Sequence, residues 1–180
     1  MLITQTNPEP STFKDQPDPE NLLTFFLTPD FQMSLPTSEL IEVVKLEVKK
    51  LTPISGMPTA VAGVYLLQDE VIWLVDLSYL LGFSTNIQSD MTANFSLLKV
   101  KTQRGNLGIL IQQVGQIISS STTNLQLQSD KTAWLNTLSQ RGWLPKQTEQ
   151  LKHLVKALWI NSDELALPVL DVEEILLHLE

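Results

Sequence analysis

Cysteine is absent from the 180 residues, which excludes disulfide staples, thiolate catalysis and Cys-based zinc sites. A cytoplasmic location fits that absence. Histidine is nearly absent too: His153 and His178 stand about 25 positions apart with no neighbouring His or Cys. They read as solvated helix-face residues and not as metal ligands, since a ligand set needs three or four donors. The seven glycines are scattered, so no phosphate-cradling loop forms, and Gln103-Arg104-Gly105-Asn106 is turn chemistry. No apolar run reaches the roughly 18 to 20 residues of a membrane span, and the N-terminus has no signal-peptide pattern. The expectation is a soluble, unexported chain.

Positive charge is also short, 12 basic residues against 20 acidic for a net of −8. That balance repels polyphosphates and anionic leaflets at long range, making nucleic acid a poor partner. The one basic cluster, Lys45 to Lys50, alternates with apolar residues as an exposed strand face does. Hydrophobic residues make up 43% and charged residues 18%, a globular composition large enough for one domain or two small lobes sharing a core.

Residues 1–21 are proline-rich and polar and read as a disordered tail. Order is expected over 22–180. Leu22–Thr28 and Phe31–Leu35 form a hairpin about Pro29-Asp30. Pro36-Thr37-Ser38 then offers a helix start, with Leu40, Ile41 and Val44 as a short apolar stripe, and Val44–Leu51 returns to strand alternation. Val61–Leu67 and Val71–Val75 are apolar runs of the kind expected in strands covered on both faces. Their turn is Gln68-Asp69-Glu70, and Asp76 caps a short leucine helix ended by Gly82.

Phe95–Thr102 places Leu98 and Val100 inward and Lys99 and Lys101 outward, and Leu107–Ile111 and Val114–Ser119 follow as strands. Gly108 and Gly115 mark close approaches. Helical spacing around 130–153 predicts an insertion, and Ala157–Asn161 with Leu165–Leu170 make a final hairpin. Asp171 and Glu174 then form a capping-box-like start to a C-terminal helix. The order strand, hairpin, short leucine helix occurs at 61–82 and again at 157–179, which implies two similar lobes.

Little in the chain points to chemistry. Asp69 and Glu70 are adjacent, so they diverge and cannot act as an acid/base pair. Ser119–Thr123 reads as a polar loop in preference to a modification site. Trp134, Trp143 and Trp159 read as helix-to-barrel packing before partner anchors. An acidic crest between two apolar runs reads instead as a surface for holding other proteins.

Three stretches, FFLTPDFQMSLPTSELIEVV, ISGMPTAVAGVYLLQDEVIWLVDLSYLLGF and NLGILIQQVGQII, followed by LALPVLDVEEIL, resemble the CheW-like coupling proteins of bacterial chemotaxis, in order from Leu22 to Leu179. The resemblance implies a mainly β fold of two packed five-stranded SH3-like barrels with short helices. It implies a non-enzymatic adaptor, without cofactor or metal, that couples a chemoreceptor or photoreceptor hairpin tip to the regulatory domain of a CheA-like histidine kinase. Recruitment to membrane receptor clusters follows, with chemotaxis, phototaxis or pilus motility as the output.

The partner-binding residues so implied are Leu40, Glu42, Val43, Val64, Gln68 and Asp69. Gln68 stands where the family commonly has Arg, and Gln112 where it has Asp. A charged hydrogen bond contributes roughly 1.5 to 3 kcal/mol against about 1 for a neutral one, so contacts at Gln68 are expected to be weaker or remade. The alternatives are a self-assembling scaffold and a small-ligand carrier using the inter-lobe cleft.

Overall fold

A computed structural model describes residues 20–83, 94–119, 125–127, 135, 136, 139, 148–161, 163 and 166–179. The predicted tail, apart from Glu20 and Asn21, lies outside the described residues, as do Trp134, Trp143 and most of the insertion near 130–153.

The chain opens as predicted. Strands β1 (Asn21–Thr28) and β2 (Phe31–Pro36) pair antiparallel about Pro29-Asp30. The next segment departs from expectation: Leu40–Lys45 is a strand, β3, and not a helix. Thr37 and Leu40 close a turn through backbone bonds to Asn21 and Thr37. Ile41, Val43 and Val44 are β-branched residues that lose rotamer freedom in a helix. Their burial alternates along β3, whose partner is a later strand. Strand alternation over Val44–Leu51 is likewise replaced by a 3-10 turn, Val48–Lys50, before the two-residue β4 (Leu51–Thr52).

The middle hairpin is β5 (Val61–Leu67) and β6 (Glu70–Asp76), and its crest is the two residues Gln68-Asp69. Helix α1 (Leu77–Leu80) follows, with Asp76 accepting from the Tyr79 amide at 3.0 Å. Three strands come next, β7 (Ser96–Thr102), β8 (Gly105–Ile111) and β9 (Gln113–Ser119), then the short β10 (Leu125–Leu127). Gly108 and Gly115 sit where expected, since a Cβ on either would fall 2.2 Å from Leu74 or from the Thr24 hydroxyl. Helix α2 (Thr148–Leu154), the final hairpin of β11 (Val155–Ile160) and β12 (Ala166–Leu170), and helix α3 (Val172–Leu177) complete the described elements. The capping box is half formed. Asp171 accepts from the Glu173 amide, while its own amide donates to Leu154 and not to Glu174.

The strands form two sheets. A terminal lobe has the order β9-β1-β2-β12-β11-β10, and a central lobe has β3-β7-β8-β6-β5-β4. Among the described residues each therefore carries the five longer strands expected of such a barrel plus a short sixth at one edge, and neither sheet closes on itself. Read in this order, the two lobes match strand for strand in direction, with one parallel pair each, β12 with β2 and β6 with β8. The partial repeat seen in the sequence thus extends over the whole sheet.

The helices are exchanged between lobes. Helix α1 follows the central hairpin, yet Ser78 donates to the Leu27 carbonyl of the terminal lobe at 3.1 Å and Phe83 meets the Phe31 ring at 5.0 Å. Helix α3 follows the terminal hairpin and reaches the central lobe, where Glu173 accepts from the Gln103 amide at 2.8 Å. The largest core cluster joins both sheets: Phe25, Met33 and Leu35 meet Leu98, Val100 and Ile109, with Leu77 and Ile175 from the two helices. Side chains of this size contribute about 1.5 to 3 kcal/mol each on full burial, so neither lobe is expected to unfold alone. A second cluster, with Ile72, Leu74 and Leu97, fills the central lobe, and a small third one, with Leu22 and Val169, fills the terminal lobe.

Glu39 and Lys156 form an ion pair across the lobe boundary, and the other Glu39 carboxylate oxygen is buried without a partner. Burial lifts the Glu39 carboxyl above its ordinary 4.5, outweighing the pull of Lys156. A raised carboxyl contributes stability below its unfolded value and loses it as pH rises. Glu39→Gln is therefore expected to match or exceed the parent melting temperature at pH 7 and to lose any such margin at pH 4. Thermal melts at the two pH values check this. A variant weaker at pH 7 whose deficit closes in acid would contradict it.

Candidate partner-binding surface

The middle hairpin has one covered face. Tyr65, Leu67, Ile72 and Leu74 fill the central lobe, as period-two alternation requires. The opposite face is formed by the cross-strand pairs Val64 with Trp73 and Leu66 with Val71. Among these, Leu66 is 60% exposed, Val71 63% and Trp73 43%. The expectation of strands covered on both faces is thus corrected, because coverage stops at Val75, which the shared core receives. Contiguous apolar residues left bare on a folded chain mark an interaction surface.

Trp73 also belongs to a cleft of about 270 Å³, which continues this face toward the C-terminus. Val75 and Leu107 supply its sheet side, Met57 one rim, and Leu176 and Leu179 the opposing wall. Thr102, Arg104 and Asn106 give it a polar margin. The exchange of α3 onto the central lobe creates this groove. Among the described residues no group of three or more His, Cys, Asp or Glu gathers there or elsewhere.

Electrostatics seal the end of the central lobe. Lys99 is a correction to the sequence reading, being 8% exposed and not outward. Its ammonium lies 2.8 Å from Glu70 and 3.5 Å from Glu42, and Asn106 donates to Glu70 at 2.8 Å. Glu42 and Lys99 are direct register partners on β3 and β7. Hydrogen bonding to Lys99, and then to Asn106, holds the Glu70 carboxyl below its ordinary 4.5, and Glu70 raises Lys99. A depressed carboxyl contributes stability above its unfolded value and loses it as pH falls through the folded one. Glu70→Gln is expected to melt below the parent at pH 7, with the gap closing below about pH 4.5. Melts across pH 3 to 7 measure it, and a constant gap would contradict it.

The six sequence-implied site residues separate into two places. Leu40 packs partly against the shared core, and Glu42 is committed to Lys99. Val43 is 42% exposed on β3, beside Ile41 at 46%. Val64, Gln68 and Asp69 lie on the middle hairpin, with β7, β8 and β6 between β3 and β5 in the sheet, and Lys99 joins Glu42 of the first group to Glu70, the residue after Asp69. Gln68 has φ 55 and is the one described non-glycine residue with positive φ. Glycine or asparagine is the usual occupant of such a position, so Gln68 holds a conformation that its side chain disfavours. Gln68→Gly is expected to stabilise the fold by about 0.5 kcal/mol, the release of left-handed strain less the entropy of glycine. Urea denaturation reads that change.

The CheW-like domain family model matches residues 22–180. The chain belongs to the CheW-like domain family. Its fold is similar to that of the scaffolding protein TtCheW from Thermoanaerobacter tengcongensis, with a TM-score of 0.65 at 15% identity, covering 86% of this chain and 90% of that one. Among curated proteins no relative matches. Within this CheW-like chain, Leu66, Val71 and Trp73 are the surface residues that the sequence reading missed. A continuous apolar run signals either two buried faces or one buried and one bare, and periodicity alone does not distinguish them.

Proposed function

We propose that this CheW-like chain is a non-enzymatic adaptor that couples a chemoreceptor-type or photoreceptor-type sensor to the regulatory domain of a CheA-like histidine kinase, at membrane receptor clusters. The output is chemotaxis, phototaxis or pilus motility. One observation carries the reading: the bare face of Leu66, Val71 and Trp73, beside the half-buried Val64, runs into an apolar groove walled by the exchanged C-terminal helix. Such a groove suits the apolar side of a receptor helical hairpin. Val43 with Ile41 on β3 offers a second, separate apolar patch. Two modest contacts on one rigid body give stable assembly through multivalency. Leu40 and Glu42 serve by setting β3 in place, whereas Val43, Val64, Gln68 and Asp69 make contact. Calorimetric titration with the regulatory domain of a CheA-like kinase encoded beside the gene is expected to show one-to-one binding. The absence of heat against every such kinase would overturn the proposal.

A further inference from the structure

Folding brings together the two histidines that the sequence separates. His153 is the penultimate residue of α2, and His178 terminates α3. Their ring centroids lie 5.3 Å apart with planes inclined at 40°. The His178 Nδ1 is 2.9 Å from the Glu174 carbonyl oxygen. A carbonyl only accepts, so Nδ1 carries the proton in this contact and the lone pair of the neutral ring sits on Nε2. Imidazoles that bind metals use the same device, with one nitrogen tied to a backbone carbonyl and the other left as the donor.

We propose that His153 and His178 form a surface site for a borderline divalent cation of the zinc, nickel or copper class. Imidazole nitrogen selects these ions over magnesium and calcium, which require oxygen. At a metal–nitrogen distance of about 2.1 Å, two rings at a tetrahedral angle have centroids roughly 5 Å apart, close to the 5.3 Å between these two. His153 is exposed, which leaves the site open to solvent. The net charge of −8 favours cation approach. No third protein ligand completes the set among the described residues, so water fills the remaining positions and affinity is lower than in a closed four-ligand site. The ion clips α2 to α3, the helix whose Leu176 lines the apolar groove.

Zinc chloride and nickel chloride titrated by calorimetry into the untagged full chain, in a non-chelating buffer, test the site. One equivalent is expected for the parent, and His153→Gln and His178→Gln should each weaken binding at least tenfold. Zinc should raise the melting temperature of the parent and leave both variants unmoved, and unperturbed melting of the metal-free variants shows that they fold. Equal binding by the double variant would overturn the site. So would no binding to the parent at millimolar zinc, or half an equivalent with doubled mass.

Discussion

Val71→Asp is expected to weaken binding of whichever partner the middle hairpin holds, the kinase regulatory domain or the receptor tip, by at least 100-fold while leaving the fold intact. Val71 is the most exposed residue of the bare hairpin face, at 63%, and its register partner is Leu66. A carboxylate placed at the centre of an apolar interface must lose its water without gaining a partner, a cost of several kcal/mol. Truncating the central residues of an interface commonly costs 2 kcal/mol or more. In the free chain the same carboxylate remains hydrated, so only strand propensity changes, by about 1 kcal/mol or less. For a chain of this length that is a shift of roughly 2 to 4 °C. Calorimetry and a thermal melt on one preparation separate the two effects. Affinity equal to the parent would remove this face from the interface.

Gly63→Ala is expected to be the most damaging single methyl addition in the central lobe. Gly63 follows a bulge in β5 and has φ 139, a conformation that L side chains rarely adopt. A Cβ there would stand 2.3 Å from the Thr52 carbonyl oxygen and 3.0 Å from the Pro53 Cα. Both are backbone atoms, so no rotamer change relieves the clash. Strain of this kind costs about 1 to 3 kcal/mol before the overlap is counted, and a total near 3 kcal/mol lowers melting by roughly 6 to 12 °C. Gly63 is followed at once by Val64, so the variant should also bind its partner less well. Urea denaturation measures the loss, and a change below about 1 kcal/mol would show that β4 and β5 separate easily.

Much of this architecture was legible because the chain punctuates its strands locally. Pro29-Asp30, Asp76 and Gly82 each act on their own neighbours, and each structure they predict is present. The repeat of hairpin and leucine helix likewise survives into three dimensions. The misreadings share one cause: they depend on what lies across the fold. Leu40–Lys45 carries both a helical stripe and an alternating one, and pairing with β7 decides for strand. Lys99 looks like a solvent-facing residue until Glu42 and Glu70 converge on it. Leu66, Val71 and Trp73 look buried because apolar composition does not reveal where a neighbouring layer ends. His153 and His178 meet only because α2 and α3 pack side by side.

The exchange of helices explains how a small chain keeps an apolar surface without collapsing around it. Helix α1 seals the terminal lobe and α3 crosses to the central lobe, so the shared core is complete before the outer half of the middle hairpin is used. Trp73 and its neighbours remain exposed while the strands that carry them are held from beneath by Ile72 and Leu74. A rigid support under a bare apolar face limits the ordering cost of association.

Amide hydrogen exchange on the chain alone and with saturating kinase regulatory domain or receptor tip reads the surface directly. New protection is expected to concentrate on Val64–Trp73 with one partner or the other, while the edge strand Gln113–Ser119 exchanges as before. Unchanged exchange across Val64–Trp73 in both complexes, with protection arising elsewhere, would contradict the assignment of that face to partner binding.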